Sequence, residues 1–388
     1  MSTKSNGSSK NTVFLIVAFI FFIAVAVAFC PAVNENIAEG MKQITGQSID
    51  TGSMSYDART IFDTLCYNRS IHILAMLLLG FGFLMVVVRG HGYSSITATL
   101  LAVSIAIPVY MLIKSFMGEG SALTIDAFMW GEFAAASLLI AIGAPLGRLT
   151  MDQYLLLGIL FVPVYLFNEW LILESGAFTG FQDTGGSVVI HAFGAYFGLG
   201  LVATTAKKMS SGPSCESDSV SNQFSLLGSL LLWVFWPSFT SAVASPERVV
   251  LTAINTVFAL AGATIATYIF SKLIRGKVDI EDIANASLAG GVAIGSTCDI
   301  ANPGMSMLIG LAAGILSTVG YAIIAPGVQK LIRGTDTCGV HNLHGMPGLL
   351  GGLSAIIVTG NAGTQIICMI ITIAVALVGG RIVGAIIG

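Results

Sequence analysis
Charge is what this sequence has least of: Asp, Glu, Lys and Arg make up 10% of its 388 residues, against about a quarter in soluble domains. So little charge cannot coat a water-soluble globule, and with 55% hydrophobic residues the chain reads as an integral membrane protein. The charges present balance to −3 and form no long run of one sign, so nothing directs the chain to nucleic acid or an anionic polymer. Cysteine is sparse as well. Cys30, Cys66, Cys215, Cys298, Cys338 and Cys368 are scattered with no C-x-x-C, a pattern of small buried hydrophobes rather than of a disulfide framework or a thiolate metal site. Histidine occurs only 5 times, which gives weight to any two that share their surroundings.

Apolar runs long enough to span a bilayer fall at 12–33, 70–88, 95–116, 128–147, 151–173, 185–206, 224–244, 249–272, 283–300, 305–326, 338–359 and 364–387, which predicts an all-α membrane protein of about 12 helices. With Lys4 and Lys10 on the cytoplasmic side, the inside segments gather eleven basic residues, among them Arg89, Arg148, Lys207, Lys208, Lys272, Arg275, Lys277, Lys330 and Arg333. The outside segments hold only Lys42, Arg59, Arg69, Lys114 and Arg248. This bias places both termini in the cytoplasm. Ala26-Val27-Ala28 after the basic start also has the form of a signal cleavage site, which would leave 11 helices; the long run from Val13 favours a retained helix. The expected organisation is a tail and first helix at 1–33, an extracytoplasmic loop at 34–69 and a channel domain at 70–388. That loop carries Glu35, Glu39, Asp50, Asp57 and Asp63, and ends in a glycosylation sequon, Asn68-Arg69-Ser70, a motif short enough to arise by chance.

Two stretches share one pattern. Asp183-Thr184-Gly185-Gly186-Ser187-Val188-Val189-Ile190-His191 and Asp336-Thr337-Cys338-Gly339-Val340-His341-Asn342-Leu343-His344 place Asp, Thr, Gly and His at matching positions, and Gly198 and Gly351 extend the match. Each Asp-Thr pair is expected to cap a helix, and eight helical residues then carry each imidazole about 12 Å inward, close to the middle of a bilayer. The two copies lie five segments apart and so enter from opposite sides, an inverted repeat of the kind that lines transport pathways. Ala136-Ser137-Leu138 and Ala286-Ser287-Leu288 are a fainter trace of it. Around the histidines, Gly194, Ala195, Gly198, Gly348 and Gly351 allow close helix approach, and Pro347 is expected to bend its helix just past His344.

A single intramembrane histidine is commonly a helix–helix hydrogen bond; a matched pair points to a site. Its uses are three: a metal or haem site, a proton relay, or a hydrogen-bonding strip for a small polar solute. His341 and His344 have a metal-like spacing, but no third ligand lies near. Two neutral imidazoles offer a donor and an acceptor apiece, which suits a small neutral solute. A bare cation at midplane costs at least about 2.5 kcal/mol, so a permeant that sheds its proton avoids most of that cost.

At these residues the chain resembles the Rh glycoprotein branch of the Amt/Mep/Rh ammonium transporters. The resemblance rests on Gly185 to Leu199, Asp336 to Gly348, Phe167-Asn168-Glu169, Trp233 to Phe239, Ala253 to Thr256 and Asn285 to Val292, and covers about 128–388 clearly. It implies an ammonium-transporter-like fold with an inverted five-helix repeat, assembled as a homotrimer in the plasma or inner membrane, each subunit holding a hydrophobic pore for ammonia, with carbon dioxide as a second solute. No cofactor or catalytic residue is implied. By resemblance His191 and His344 are the twin pore histidines, Phe133 and Phe239 the stacked outer gate, Asp183 and Asp336 their supporting acids. Glu132 and Glu169, acids at apparent helix ends, are read either as outer-vestibule charges that attract ammonium or as simple interfacial acids. Thr240 departs from the Asn of many animal members, and with the sequence ending at Gly388, gating by a cytoplasmic tail is not expected. The competing readings are an electrogenic ammonium transporter and a metal- or haem-binding membrane enzyme or sensor.

Overall fold
The computed structural model describes residues 55–87, 92–117, 124–205 and 217–388, with side chains from residue 63, and isolated positions 16 and 20. The expected first helix, the signal question, and most acids of the 34–69 loop lie outside these residues. Every regular element among the described residues is helical. In chain order they are α1 (55–87), α2 (Gly92–Phe116), α3 (Ile125–Gly143), α4 (Met151–Glu174), α5 (Ser187–Thr205), α6 (Ser219–Thr240), α7 (Pro246–Arg275), α8 (280–297), α9 (Pro303–Ile332), α10 (341–359) and α11 (Ala362–Ile387). Each expected apolar segment from the second onward has its helix. Eight of these are long and apolar enough to cross a membrane. The remaining three, α6, α8 and α10, are interrupted by polar residues such as Asn222, Asp282 and His344.

Local chemistry sets the boundaries. Thr124 caps α3 by accepting from Ala127 N, and Asn302 caps α9 by accepting from Met305 N ahead of Pro303. Thr150 with Gln153 and Asp218 with Ser221 form reciprocal capping boxes at α4 and α6, each satisfying donors that a helix start leaves free. Two expectations are corrected. α1 already begins at Ser55, so the last part of the expected loop is helical. The expected 283–300 span is broken: α8 turns at Ser287–Leu288 and ends in a 3₁₀ turn at Gly295–Thr297.

The repeat is visible in the packing. α2 packs on α3 and α4 as α7 packs on α8 and α9; α3 lies against α5 as α8 lies against α10; and the leading members α1 and α6 meet each other. Wide π turns recur at matching places, Trp170–Glu174 in α4 with Gly320–Ile324 in α9, and Ser187–Ala192 in α5 with His341–Gly345 in α10.

Helix contacts are made through small residues, because lipid supplies no hydrophobic drive between helices and close backbone approach must do so instead. The closest is α7 with α8 and α9: a Cβ at Gly290 or Gly310 would lie 2.0 Å from the Ala259 carbonyl oxygen, and one at Gly314 2.5 Å from that of Ala263. Backbone on both sides cannot yield. Gly310→Val is therefore expected to destabilise the protein by more than about 3 kcal/mol, read as loss of the monodisperse peak of detergent-purified protein. A wild-type elution profile and melting temperature would contradict this.

Candidate functional site
The segment before each histidine is built on its aspartate. Asp183 accepts from Val188 N at 3.0 Å, Val189 N at 2.8 Å and Ser296 Oγ at 2.5 Å. Asp336 accepts from Val340 N at 2.9 Å and His341 N at 3.0 Å. A buried carboxylate at a helix start satisfies free amides and sits favourably in the helix dipole. The threonines of the motif do not share this work: Thr184 Oγ1 accepts from Gln182 Nε2, and Thr337 Oγ1 has no partner. Nor is the stretch between Asp and His fully helical. Gly186 adopts φ +74°, a left-handed turn that suits glycine, and α5 starts only at Ser187. Each imidazole thus sits in the first π turn, about 6 Å of helix rise from its start rather than about 12 Å.

Both entry segments are tied by backbone bonds to the third helix of the opposite repeat. Gly185 N donates to Gly295 O at 2.7 Å at the end of α8; Thr337 N and Cys338 N donate to Ala144 O and Gly143 O at the end of α3. Gly198 lies on Ala141 O and Gly351 on Ser187 Oγ and Ala293 O, leaving no room for a side chain. The expected glycines therefore hold the two histidine helices in place.

These constraints bring His191 and His344 together. Their rings lie 5.3 Å apart at 7°, with Nδ1 to Nδ1 at 3.2 Å, and both are buried. A bond between two neutral ring nitrogens needs one proton on one of them. The imidazoles are consequently in opposite tautomers, and their outward Nε2 atoms are one donor and one acceptor. His191 Nε2 is buried with no protein partner.

Aromatic rings continue the file on both sides. Phe239 lies 6.0 Å from His191, and Phe133 lies 4.8 Å from Phe239, the two planes at 61°. The expected pair of phenylalanines is in contact, edge to face rather than stacked. Trp236 stacks on His191 at 5.6 Å, and Phe81 on His344 at 6.2 Å. Neither was singled out for a role from sequence. Trp236 fits because Gly291 offers its indole a surface without a side chain, and Phe81 is aimed by the π turn Met76–Phe81. Beyond His344 a cavity of about 20 Å³ opens, lined by Phe81, Leu84, Leu139, Ile140, Asn285 and Leu343 among others. It has room for one water-sized molecule.

Glu132 and Glu169 are placed differently from expectation. Both are fully buried and so do not line an open vestibule. Glu132 accepts from Ser70 Oγ at 2.9 Å, and Glu169 from Tyr110 Oη at 2.6 Å. Those partners lie on α1 and α2, far off in sequence, and convert expected surface acids into internal ties. The same bond agrees with reading the sequon as a chance match, since the Ser70 hydroxyl is buried on a helix. The Thr240 hydroxyl meets that of Thr256, 2.7 Å away. Cys66, Cys298 and Cys368 are buried and Cys338 is half-buried, none of the four in a disulfide. Among the described residues no three His, Cys, Asp or Glu side chains converge as a metal ion would require.

Comparison with known proteins gives this geometry a family. Residues 52–388 match the model of the Ammonium Transporter Family. The chain is 37% identical over 353 residues to the ammonium transporter Rh type A of Bos taurus, covering 87% of this chain and 82% of that one. Among solved structures it resembles Rh50 of Nitrosomonas europaea, described as one of the Rhesus protein family of channels, at 51% identity and a TM-score of 0.79 over 84% of this chain and 88% of the other. Candida albicans Mep2, at 18% identity, shares the fold, with a TM-score of 0.69 over 82% of each chain. A capped, inverted pair of histidine helices and a match to the family over most of its length thus agree: the chain belongs to the ammonium transporter family, in its Rh branch, and is a transport protein rather than an enzyme.

Proposed function
We propose that this protein is a passive channel for ammonia, working as a homotrimer in the cell membrane with both termini cytoplasmic and one pore in each subunit. The observation that carries this reading is the buried file Phe133, Phe239, His191, His344, Phe81, ending in a cavity sized for one small molecule. Ammonium loses a proton near the Phe pair, because an ion inside so apolar a file would forfeit its hydration with no carboxylate to replace it. Ammonia then crosses as a neutral molecule. The unpaired Nε2 of His191 and the outer nitrogen of His344 replace part of its lost hydrogen bonding, and it regains a proton in the inner water. Carbon dioxide, also small and neutral, is a second solute for the same pore. Asp183 and Asp336 act through the helix starts they hold, not as ligands of the permeant.

Proteoliposomes facing an ammonia gradient are expected to alkalinise several-fold faster than empty liposomes; equal rates would remove the channel reading. One observation favours a second reading. Nitrogens 3.2 Å apart can pass a proton between them, and a proton moving alongside ammonia would make the cycle electrogenic. Ammonium salts applied to a planar bilayer would then evoke a current, whereas the neutral channel gives none.

A further inference from the structure
The inner end of the file contains a polar side chain that the pore description so far leaves without a task. Asn285 lies on α8 just before its break and is 8% exposed. Its Nδ2 donates to Glu281 O at 2.9 Å within its own helix. Among the described residues nothing donates to its Oδ1. It shares with His344 the cavity of about 20 Å³, whose other walls are almost entirely apolar. A carboxamide oxygen without a donor, on a residue that lines a greasy chamber, is available to accept from what occupies it.

We propose that Asn285 is a specificity-determining residue of the pore, its Oδ1 receiving an N–H of the solute as that solute leaves His344. This rests on the channel reading above. The chamber holds one water-sized molecule, so an ammonia in it touches both groups in turn, its lone pair toward an imidazole N–H and a hydrogen toward the carboxamide. That contact bridges the gap between the last ring and bulk water, where the Phe81, Leu139 and Leu343 side chains offer nothing polar. Carbon dioxide has no hydrogen to donate and gains nothing from Oδ1. Asn285 therefore favours N–H donors over acceptor-only gases at the inner exit.

The test compares full-length wild type, Asn285→Val and Asn285→Asp in proteoliposomes, reading the alkalinisation rate in an ammonia gradient. Valine has similar bulk without the acceptor and is expected to slow the rate about three- to tenfold, the worth of one hydrogen bond. Aspartate keeps an acceptor oxygen and is expected to stay within about twofold of wild type. An unchanged rate for Asn285→Val would overturn the proposal. So would equal slowing in both variants, because both lose the amide donor to Glu281 O and a merely structural role would then suffice. If valine prevents folding, Asn285→Ala is read against the same two outcomes. Wild type no faster than empty liposomes would instead remove the channel reading and this assignment with it, a result distinct from a fast wild type with an unaffected variant.

Discussion

Asp183→Ala is expected to destabilise the protein by at least about 3 kcal/mol, and Asp336→Ala by less, because a buried donor left unpaired costs about 1–3 kcal/mol. The order follows from counting those donors. Removing Asp183 orphans Val188 N, Val189 N and the Ser296 hydroxyl, which ties α5 to α8. Removing Asp336 orphans Val340 N and His341 N alone. Both changes also strip a negative charge from a helix start. The measurement is the temperature at which each purified variant loses its native elution peak. Asp183→Ala melting with wild type, or above Asp336→Ala, would contradict the counting.

Replacing both histidines by leucine should lower ammonia conduction about five- to hundredfold, since each imidazole contributes a hydrogen bond of about 0.5–1.5 kcal/mol net. The double variant should nonetheless fold better than either single one. A lone His344→Leu leaves His191 Nδ1 buried without the partner now 3.2 Å away, whereas replacing both ends of a hydrogen bond by apolar groups of similar size is close to neutral. Stopped-flow alkalinisation and thermal melting on the same preparations test both halves. Wild-type conduction in a folded double variant would remove the histidines from the pathway. Melting below both single variants would show that their bond supports the fold.

Much of this was legible in the sequence because its signals are local. Hydropathy marked each described span, and the spacing of Asp, Gly and His marked the two entry segments, since caps, glycine turns and helical faces depend on residues a few positions apart. What could not be read depends on contacts between distant segments. Glu132 and Glu169 look like interfacial acids until Ser70 and Tyr110, 62 and 59 residues away, close on them. Phe81 and the two histidines sit in π turns, where a helical wheel of 3.6 residues assigns the wrong face. A register that assumes a regular helix from Asp183 overstates the rise to His191 by about twofold for the same reason. Trp236 and Asn285 stood inside a quoted block of resemblance, but their tasks appear only when the ring file and its end cavity are in view.

Two bonds at the edge of the site tie the neighbours of the phenylalanine pair to a single helix. Phe133 belongs to the first repeat and Phe239 to the second, yet one turn of α1 holds the neighbours of both: Ser70 donates to Glu132, and His72 Nδ1 lies 2.9 Å from Ser238 Oγ. α1 thus acts as a strut across the seam between repeats. A motion that parts the rings has to break one of these ties or carry both with it. Any parting of the two rings would therefore couple the two halves of the molecule through polar bonds that lie outside the ring file.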